Sequence, residues 1–186
     1  KKACVELGSK DSLLVMDDAD MDRAIRAARF GAFFHQGQIC MATEKIIVDA
    51  SRADEFLSKF ITATKELKMG DPTQMHNQIG PIVNHKQAAA VENRLAMAVG
   101  QGGRVEHGGR RDGLFVEPTV IRGVTPDMNI FHEEVFGPVA NIIGAADRDE
   151  AIALANNSEY GLSASIMTGD EARGLDIARH LESGMA

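Results

Sequence analysis

The sequence has little of what marks several protein classes. It contains only two cysteines in 186 residues, Cys4 and Cys40, so no disulfide framework is predicted and a reducing, cytoplasmic location is expected. No apolar run has the length of a membrane-spanning helix, and no membrane partner is expected. Basic residues number 20 against 27 acidic ones, giving a net charge of −7. This balance argues against nucleic-acid binding, which depends on basic surfaces.

Two kinds of ligand site are also missing from the pattern. The six histidines show no metal-ligand spacing with cysteine or carboxylate neighbours, so no zinc or iron site is predicted. The glycines do not form a Gly-x-Gly-x-x-Gly fingerprint after a strand. A complete dinucleotide-binding site is therefore not expected within these residues.

The remaining pattern alternates apolar strands with amphipathic helices, which predicts an α/β fold with a mostly parallel sheet flanked by helices. A strand-like run is expected around Cys4. Further strands are predicted at 45–49, 104–107, 115–120, 139–143 and 163–167, and 108–113 is predicted to be turn-like. Helices are predicted from Asp20 to a break at Gly37, over 56–67 with a stop at Gly70, and over 86–99, 150–156 and 170–181.

Cys40 and Glu6 are the candidate catalytic residues. Cys40 follows Gln36-Gly37-Gln38-Ile39 and is predicted to lie in a turn, while Glu6 opens the segment Glu6-Leu7-Gly8-Ser9-Lys10. A thiolate can attack a carbonyl carbon to form a covalent intermediate, and a carboxylate can act as a general base. The alternatives are a buried structural cysteine and a solvated glutamate at a strand end.

A third segment, Glu133-Glu134-Val135-Phe136-Gly137-Pro138-Val139, completes a set of three motifs. Together they resemble the aldehyde dehydrogenase superfamily, and the resemblance runs across nearly the whole chain. In that family Glu-Leu-Gly-Gly-Lys carries a general base, Gly-Gln-x-Cys carries the catalytic cysteine, and Glu-Glu-x-Phe-Gly-Pro contacts the coenzyme. Without the resemblance, Glu134 would be read as an acid at a helix start and Phe136 as a core residue.

The resemblance implies oxidation of an aldehyde to a carboxylic acid with NAD or NADP. Cys40 would form a thiohemiacetal and then a thioester, and Glu6 would activate the hydrolytic water. The implied coenzyme contacts are Glu134, Phe136, Leu7 and Gly8. The segment Gln38-Ile39-Cys40-Met41 resembles family members that act on aromatic aldehydes such as salicylaldehyde.

Residues 1–186 are interpreted as one catalytic-domain segment of a longer enzyme, with the coenzyme-binding domain and a C-terminal oligomerisation segment outside it. The resemblance implies a homo-oligomeric enzyme, and the isolated segment is expected to be inactive. The alternative is a non-catalytic fragment that acts as a fold or assembly module.

Two positions depart from the family pattern. Ser9 replaces the second glycine of Glu-Leu-Gly-Gly-Lys and is expected to weaken coenzyme positioning, because glycine allows close approach or positive φ. The alternative is a harmless change. His35 stands where asparagine is common and is interpreted as a hydrogen-bonding loop histidine.

Overall fold

The computed structural model describes residues 1–186, which form eight strands and six α-helices. The strands are β1 (Asp11–Val15), β2 (Thr43–Asp49), β3 (Arg104–His107), β4 (Arg111–Asp112), β5 (Phe115–Val116), β6 (Thr119–Arg122), β7 (Val139–Ala145) and β8 (Ala164–Met167). The helices are α1 (Met21–Phe33), α2 (Ala53–Lys65), α3 (His85–Gly100), α4 (Asn129–His132), α5 (Arg148–Asn156) and α6 (Glu171–Ala178).

Six strands form one sheet in the order β3-β6-β7-β2-β1-β8. All neighbouring pairs are parallel except β3 with β6, and the short strands β4 and β5 form a separate antiparallel pair. The predicted α/β fold with a mostly parallel sheet is confirmed. Parallel neighbours require crossover connections, and the intervening helices supply them.

The helices cover both faces of the sheet and create two apolar cores. On one face, α1 and α2 contribute Phe33, Phe56 and Phe60, which pack with Ile46 and Val48 of β2. The other face holds a core that includes residues of α3, α4, α5 and α6. Alternate residues of β2 enter opposite cores, as the two-residue period of a strand requires.

The helix starts lie within three residues of the predicted positions, whereas the ends of α1, α2 and α6 come earlier than predicted. Asp20 caps α1 by accepting a hydrogen bond from the Arg23 amide at 3.0 Å, and Asp170 caps α6. Helix α2 ends at Lys65 rather than near Gly70, because the Leu67 amide bonds Thr64 three residues back and tightens the last turn. Helix α6 ends at Ala178 rather than at 181.

The predicted strand at 115–120 is divided into β5 and β6. Pro118 lies in the break, and proline has no amide hydrogen to give to a ladder. The predicted turn at 108–113 also contains β4. Its first three residues are irregular, and β4 pairs with β5 across a short hairpin.

The predicted strand around Cys4 is wrong. Residues 1–10 contain no strand, and the side chains of residues 1–7 are exposed. The apolar residues of this run match a strand, but no ladder with another strand is formed, and a strand exists only through such pairing.

None of the helices combines the length and the apolar character needed to cross a bilayer.

Candidate active site

The three sequence motifs lie at the amino ends of three adjacent strands of the sheet. Residues 6–10 lead into β1, the turn at Cys40 leads into β2, and residues 133–138 lead into β7. These strands are adjacent and parallel, so their amino ends lie side by side. The topology therefore brings together segments that are far apart in the chain.

The first and third motifs are in direct contact. Gly8 has a φ of +86°, and a Cβ at this position would lie 2.7 Å from Oε2 of Glu134. The Ser9 amide donates a hydrogen bond of 2.9 Å to Oε1 of Glu134. Only glycine fits here, because a side chain would be strained and would overlap the carboxylate.

The second and third motifs also touch. Gly37 has a φ of +66°, and a Cβ there would collide with the carbonyl oxygen of Gly137. The two preceding residues, His35 and Gln36, have φ values of 53° and 59°. Helix α1 thus ends at Phe33 and a left-handed turn begins before Gly37, earlier than the sequence predicts. Left-handed non-glycine residues are often found near functional sites.

Cys40 is half-buried in the turn before β2, as predicted, and the Ala42 amide closes this turn on the Ile39 carbonyl at 2.9 Å. Cys4 is exposed. Glu6 lies in an irregular, exposed stretch, and the prediction that it follows a strand is wrong.

Glu6 and Cys40 are not joined by a hydrogen bond in this structure. Leu7, predicted to contact the coenzyme, is 78% exposed. The structure therefore brings Gly8 and Glu134 together, and Gly37 and Gly137 together. It leaves Glu6 and Leu7 on the surface beside them.

A buried ion pair connects the motifs, and sequence reasoning missed it. Nζ of Lys10 lies 2.6 Å from Oε2 of Glu44 and donates to the Glu133 carbonyl at 2.7 Å. Burial lowers the pKa of Lys10, and the attraction of Glu44 opposes that shift. The available signal was a glutamate at the start of an apolar strand, four residues after Cys40.

Two side chains hold the backbone of Val135 and Phe136, which sequence reasoning also missed. The Glu44 carboxylate accepts hydrogen bonds from the Val135 amide at 2.8 Å and the Phe136 amide at 2.9 Å. Nε2 of Gln87 donates to the Val135 carbonyl at 3.0 Å and the Phe136 carbonyl at 2.9 Å. Phe136 has a left-handed φ of 51°, so these bonds stabilise an unfavourable conformation.

Glu134 is half-buried, and burial raises the pKa of its carboxyl. One oxygen is bonded to the Ser9 amide, and the other forms no hydrogen bond within the chain. A carboxylate with a free acceptor oxygen is suited to bind a sugar diol.

Ser9 is accommodated inside the fold. Its side chain is 2% exposed, its φ is not left-handed, and its hydroxyl donates to Asp11. Asp11 also accepts hydrogen bonds from Ser163. The Ser9 hydroxyl is thus engaged in internal bonding. His35 is in the predicted loop, but its ring is exposed and forms no hydrogen bond.

An aromatic surface lies on α1 and the turn that follows it. The rings of Phe30 and Phe34 stack with centroids 4.7 Å apart, and both side chains are more than half exposed. They border an open cavity of about 340 Å³ that also touches Arg26 and Arg29.

No group of three or more His, Cys, Asp or Glu side chains is arranged to hold a metal ion.

Comparisons with known proteins agree with this arrangement. A family model described as "Aldehyde dehydrogenase family" matches residues 1–186. The chain is 42% identical to a vanillin dehydrogenase from Pseudomonas fluorescens, over 100% of this chain and 38% of that protein. It is 41% identical to a salicylaldehyde dehydrogenase from Pseudomonas putida, over 99% of this chain and 38% of that protein.

Among solved structures, a betaine aldehyde dehydrogenase from Staphylococcus aureus in complex with NAD+ superposes with a TM-score of 0.95 at 35% identity. The match covers 97% of this chain and 37% of that one. The chain thus spans about two fifths of the length of the relatives that it matches.

Proposed function

The chain belongs to the aldehyde dehydrogenase family, and we propose that the full-length protein oxidises an aldehyde to a carboxylic acid with NAD or NADP. The observation that carries this proposal is the meeting of three motif segments at the amino ends of β1, β2 and β7. Gly8 contacts Glu134, and Gly37 contacts Gly137. The half-buried thiol of Cys40 lies in the turn between these contacts and β2.

In the proposed reaction, the Cys40 thiolate attacks the aldehyde carbon and forms a carbon–sulfur bond. The carbonyl oxygen takes up a proton, which gives a thiohemiacetal on Cys40. NAD or NADP, when bound, would supply the acceptor for the hydride that leaves that carbon. With the hydride gone and the hydroxyl proton released to solvent, a thioester remains on Cys40.

Glu6 completes the cycle as the general base. It takes a proton from water, the resulting hydroxide attacks the thioester carbon, and the carbon–sulfur bond breaks to release the acid and the Cys40 thiolate. The left-handed Gly8 turns the chain beside Glu134, two residues after Glu6. This support for Glu6 is positional, since its carboxylate is exposed and unbonded in the present chain.

The proposed coenzyme contacts of this chain are Glu134 and Phe136, with Leu7 and Gly8 beside them. Glu134 would bind the ribose next to the nicotinamide through its free carboxylate oxygen. The side chain of Phe136 would pack against the nicotinamide side of the coenzyme. No phosphate-cradling glycine loop is encoded here, so the rest of the coenzyme must be held by residues outside this segment.

An aromatic aldehyde is the proposed substrate class. The stacked rings of Phe30 and Phe34 end at the turn that leads to Cys40, and they border a cavity large enough for a single-ring ligand. Aromatic rings bind one another by offset or edge contacts. Relatives named for vanillin and salicylaldehyde support the same class. Assembly of the parent protein into a homo-oligomer remains a prediction.

A steady-state assay of the full-length protein tests this proposal. Benzaldehyde-type and straight-chain aldehydes are each supplied with NAD or NADP, and formation of the reduced coenzyme is followed over a range of aldehyde concentrations. We expect turnover with at least one of the two coenzymes. The kcat/KM should be higher for aromatic aldehydes than for straight-chain ones. Absence of aldehyde-dependent reduction with either coenzyme would contradict the proposal. The isolated 186-residue chain is the control and should show none.

A further inference from the structure

The segment that carries Glu134 and Phe136 needs support because of its backbone conformation. Phe136 has a φ of 51°, in the left-handed region that a side chain such as phenylalanine rarely occupies. It belongs to no helix or strand. Its conformation therefore depends on bonds made by side chains from elsewhere in the chain.

Those bonds come from two side chains. Both amides of Val135 and Phe136 donate to the Glu44 carboxylate, and both carbonyls accept from Gln87. All four backbone polar groups of the two residues are thus satisfied. Hydrogen bonds to a charged acceptor are the stronger kind, so Glu44 provides the greater share of this support.

The Glu44 carboxylate also joins this turn to the first motif. Its side chain is 4% exposed and pairs with Lys10 at 2.6 Å, and Lys10 in turn donates to the Glu133 carbonyl at 2.7 Å. Ser9, next to Lys10, donates from its amide to Glu134. Displacement of Glu44 would therefore loosen both sides of the contact between the first and third motifs.

We propose that Glu44 is a positioning residue. Its carboxylate fixes the left-handed turn at Phe136 and, through Lys10, holds Glu134 and Phe136 in the orientation that receives the coenzyme. The coenzyme half of this proposal rests on the proposed function. The structural half concerns only residues of this chain.

Hydrogen exchange of the backbone amides in the full-length protein, followed at residue resolution by mass spectrometry, tests the structural half. In the wild type the Val135 and Phe136 amides should exchange slowly although they lie outside any helix or strand. Glu44→Gln should speed their exchange by about tenfold or more, the size expected when a hydrogen bond to a charged acceptor is lost. The amides of the β2–β7 ladder should change much less.

Two further proteins keep this measurement decisive. Glu106→Gln is the matched control, because Glu106 pairs with Arg122 at the far edge of the sheet and should leave both amides unaffected. Glu44→Asp keeps the charge but shortens the side chain that reaches the Val135 and Phe136 amides. It should also speed exchange at the turn, and it tests Glu44 itself if Glu44→Gln does not fold.

The functional half is tested in the full-length protein. Glu44→Gln should raise the KM for the coenzyme by about tenfold while the KM for the aldehyde changes by less than about threefold, since one charged hydrogen-bond acceptor is lost on the coenzyme side only. A general loss of structure would not separate the two constants in this way.

Three results would overturn the proposal. Fast exchange of the Phe136 amide in the wild type, or unchanged exchange in Glu44→Gln, would show that Glu44 does not hold the turn. An unchanged coenzyme KM in an active Glu44→Gln enzyme would remove its role in coenzyme positioning. By contrast, a full-length wild type without aldehyde oxidation would refute the proposed function itself, while the exchange data still decide the structural half.

Discussion

Two lysines of this chain are buried, and they are held in different ways. Lys10 is 3% exposed, and its ammonium group pairs with the Glu44 carboxylate at the end of the sheet where the three motifs meet. Lys45 is fully buried and ends on the carbonyls of Leu154 and Ala155, at 3.0 and 3.2 Å. These carbonyls lie in the last turn of α5, and the ammonium group lies 4.7 Å from the centre of the Phe131 ring.

The difference separates the candidate site from its scaffold. Lys45 bonds the free carbonyls at a helix end, where a cation is favoured, so its role is to hold α5 on the sheet. Lys10 is paired with a carboxylate whose remaining bonds go to the Val135 and Phe136 amides, in the turn that is proposed to contact the coenzyme. Changes near Lys10 should therefore affect function, and changes at Lys45 should affect stability alone.

The largest expected effect is the loss of turnover when Cys40 of the candidate site is replaced. In the full-length protein, Cys40→Ala should lower turnover by about 10³-fold or more, because the covalent route is lost. Cys4→Ala is the control, since Cys4 is exposed and belongs to none of the three motifs. Steady-state rates and thermal unfolding of both variants check this. Retained activity in Cys40→Ala would show that Cys40 is not the catalytic nucleophile.

The next effect breaks the Lys10 side of the comparison. Lys10→Met should destabilise the chain by about 3–5 kcal/mol, because it leaves the Glu44 charge buried without its partner. The double variant Lys10→Met/Glu44→Leu should recover much of that stability, since an apolar pair can replace a buried ion pair. Urea unfolding measures both. A double variant as unstable as the single one would contradict the buried-charge explanation.

A pH effect sharpens the Lys45 side. Burial lowers the pKa of Lys45 from 10.5 to about 8. Between these values the unfolded chain binds a proton that the folded chain does not, so the free energy of unfolding should rise with pH across this window. One group contributes up to about 1.4 kcal/mol per pH unit.

Lys45→Met is the matched variant for this effect. Its free energy of unfolding should rise less between pH 8 and about pH 10 than that of the wild type, since the shifted lysine is gone. The lowered pKa of Lys10 acts in the same direction in both proteins, and the charge of Lys10 contributes to the lowered pKa of Lys45. Parallel stability curves for the two proteins would contradict the assigned pKa shift.

The smallest expected effect concerns Ser9, at the border between site and scaffold. Ser9→Gly should cost about 1–2 kcal/mol of stability, because it removes a buried hydrogen bond to Asp11 and adds a flexible residue. Coenzyme affinity of the full-length enzyme should stay within about twofold, since the hydroxyl is already bonded inside the fold. Calorimetric titration checks this, and a clear gain in affinity would show that serine obstructs the coenzyme.

The sequence predicted the parts of the molecule that depend on local pattern. The strand before Asp49, the capping of α1 by Asp20 and the turn at Cys40 all follow from nearby residues. The predicted strand around Cys4 failed because a strand needs a partner, and none of this chain's strands pairs with it.

The contacts that join the motifs could not be read in the same way. Lys10 and Glu44 are 34 positions apart, and Glu44 is 91 positions from Val135. A lysine or glutamate in such a pattern is usually solvated, and a phenylalanine gives no sign of a left-handed φ. These features depend on the order of β1, β2 and β7 in the sheet.

Trapping the acylated enzyme tests the central claim most directly. The amide in Glu6→Gln cannot accept the proton of water, so the thioester should persist after hydride transfer. The full-length variant is mixed with an aromatic aldehyde and NAD, quenched in acid and analysed by peptide mass spectrometry. The account predicts a burst of reduced coenzyme with an acyl group on Cys40 and none on Cys4. An acyl group elsewhere, or a burst without any adduct on Cys40, would contradict it.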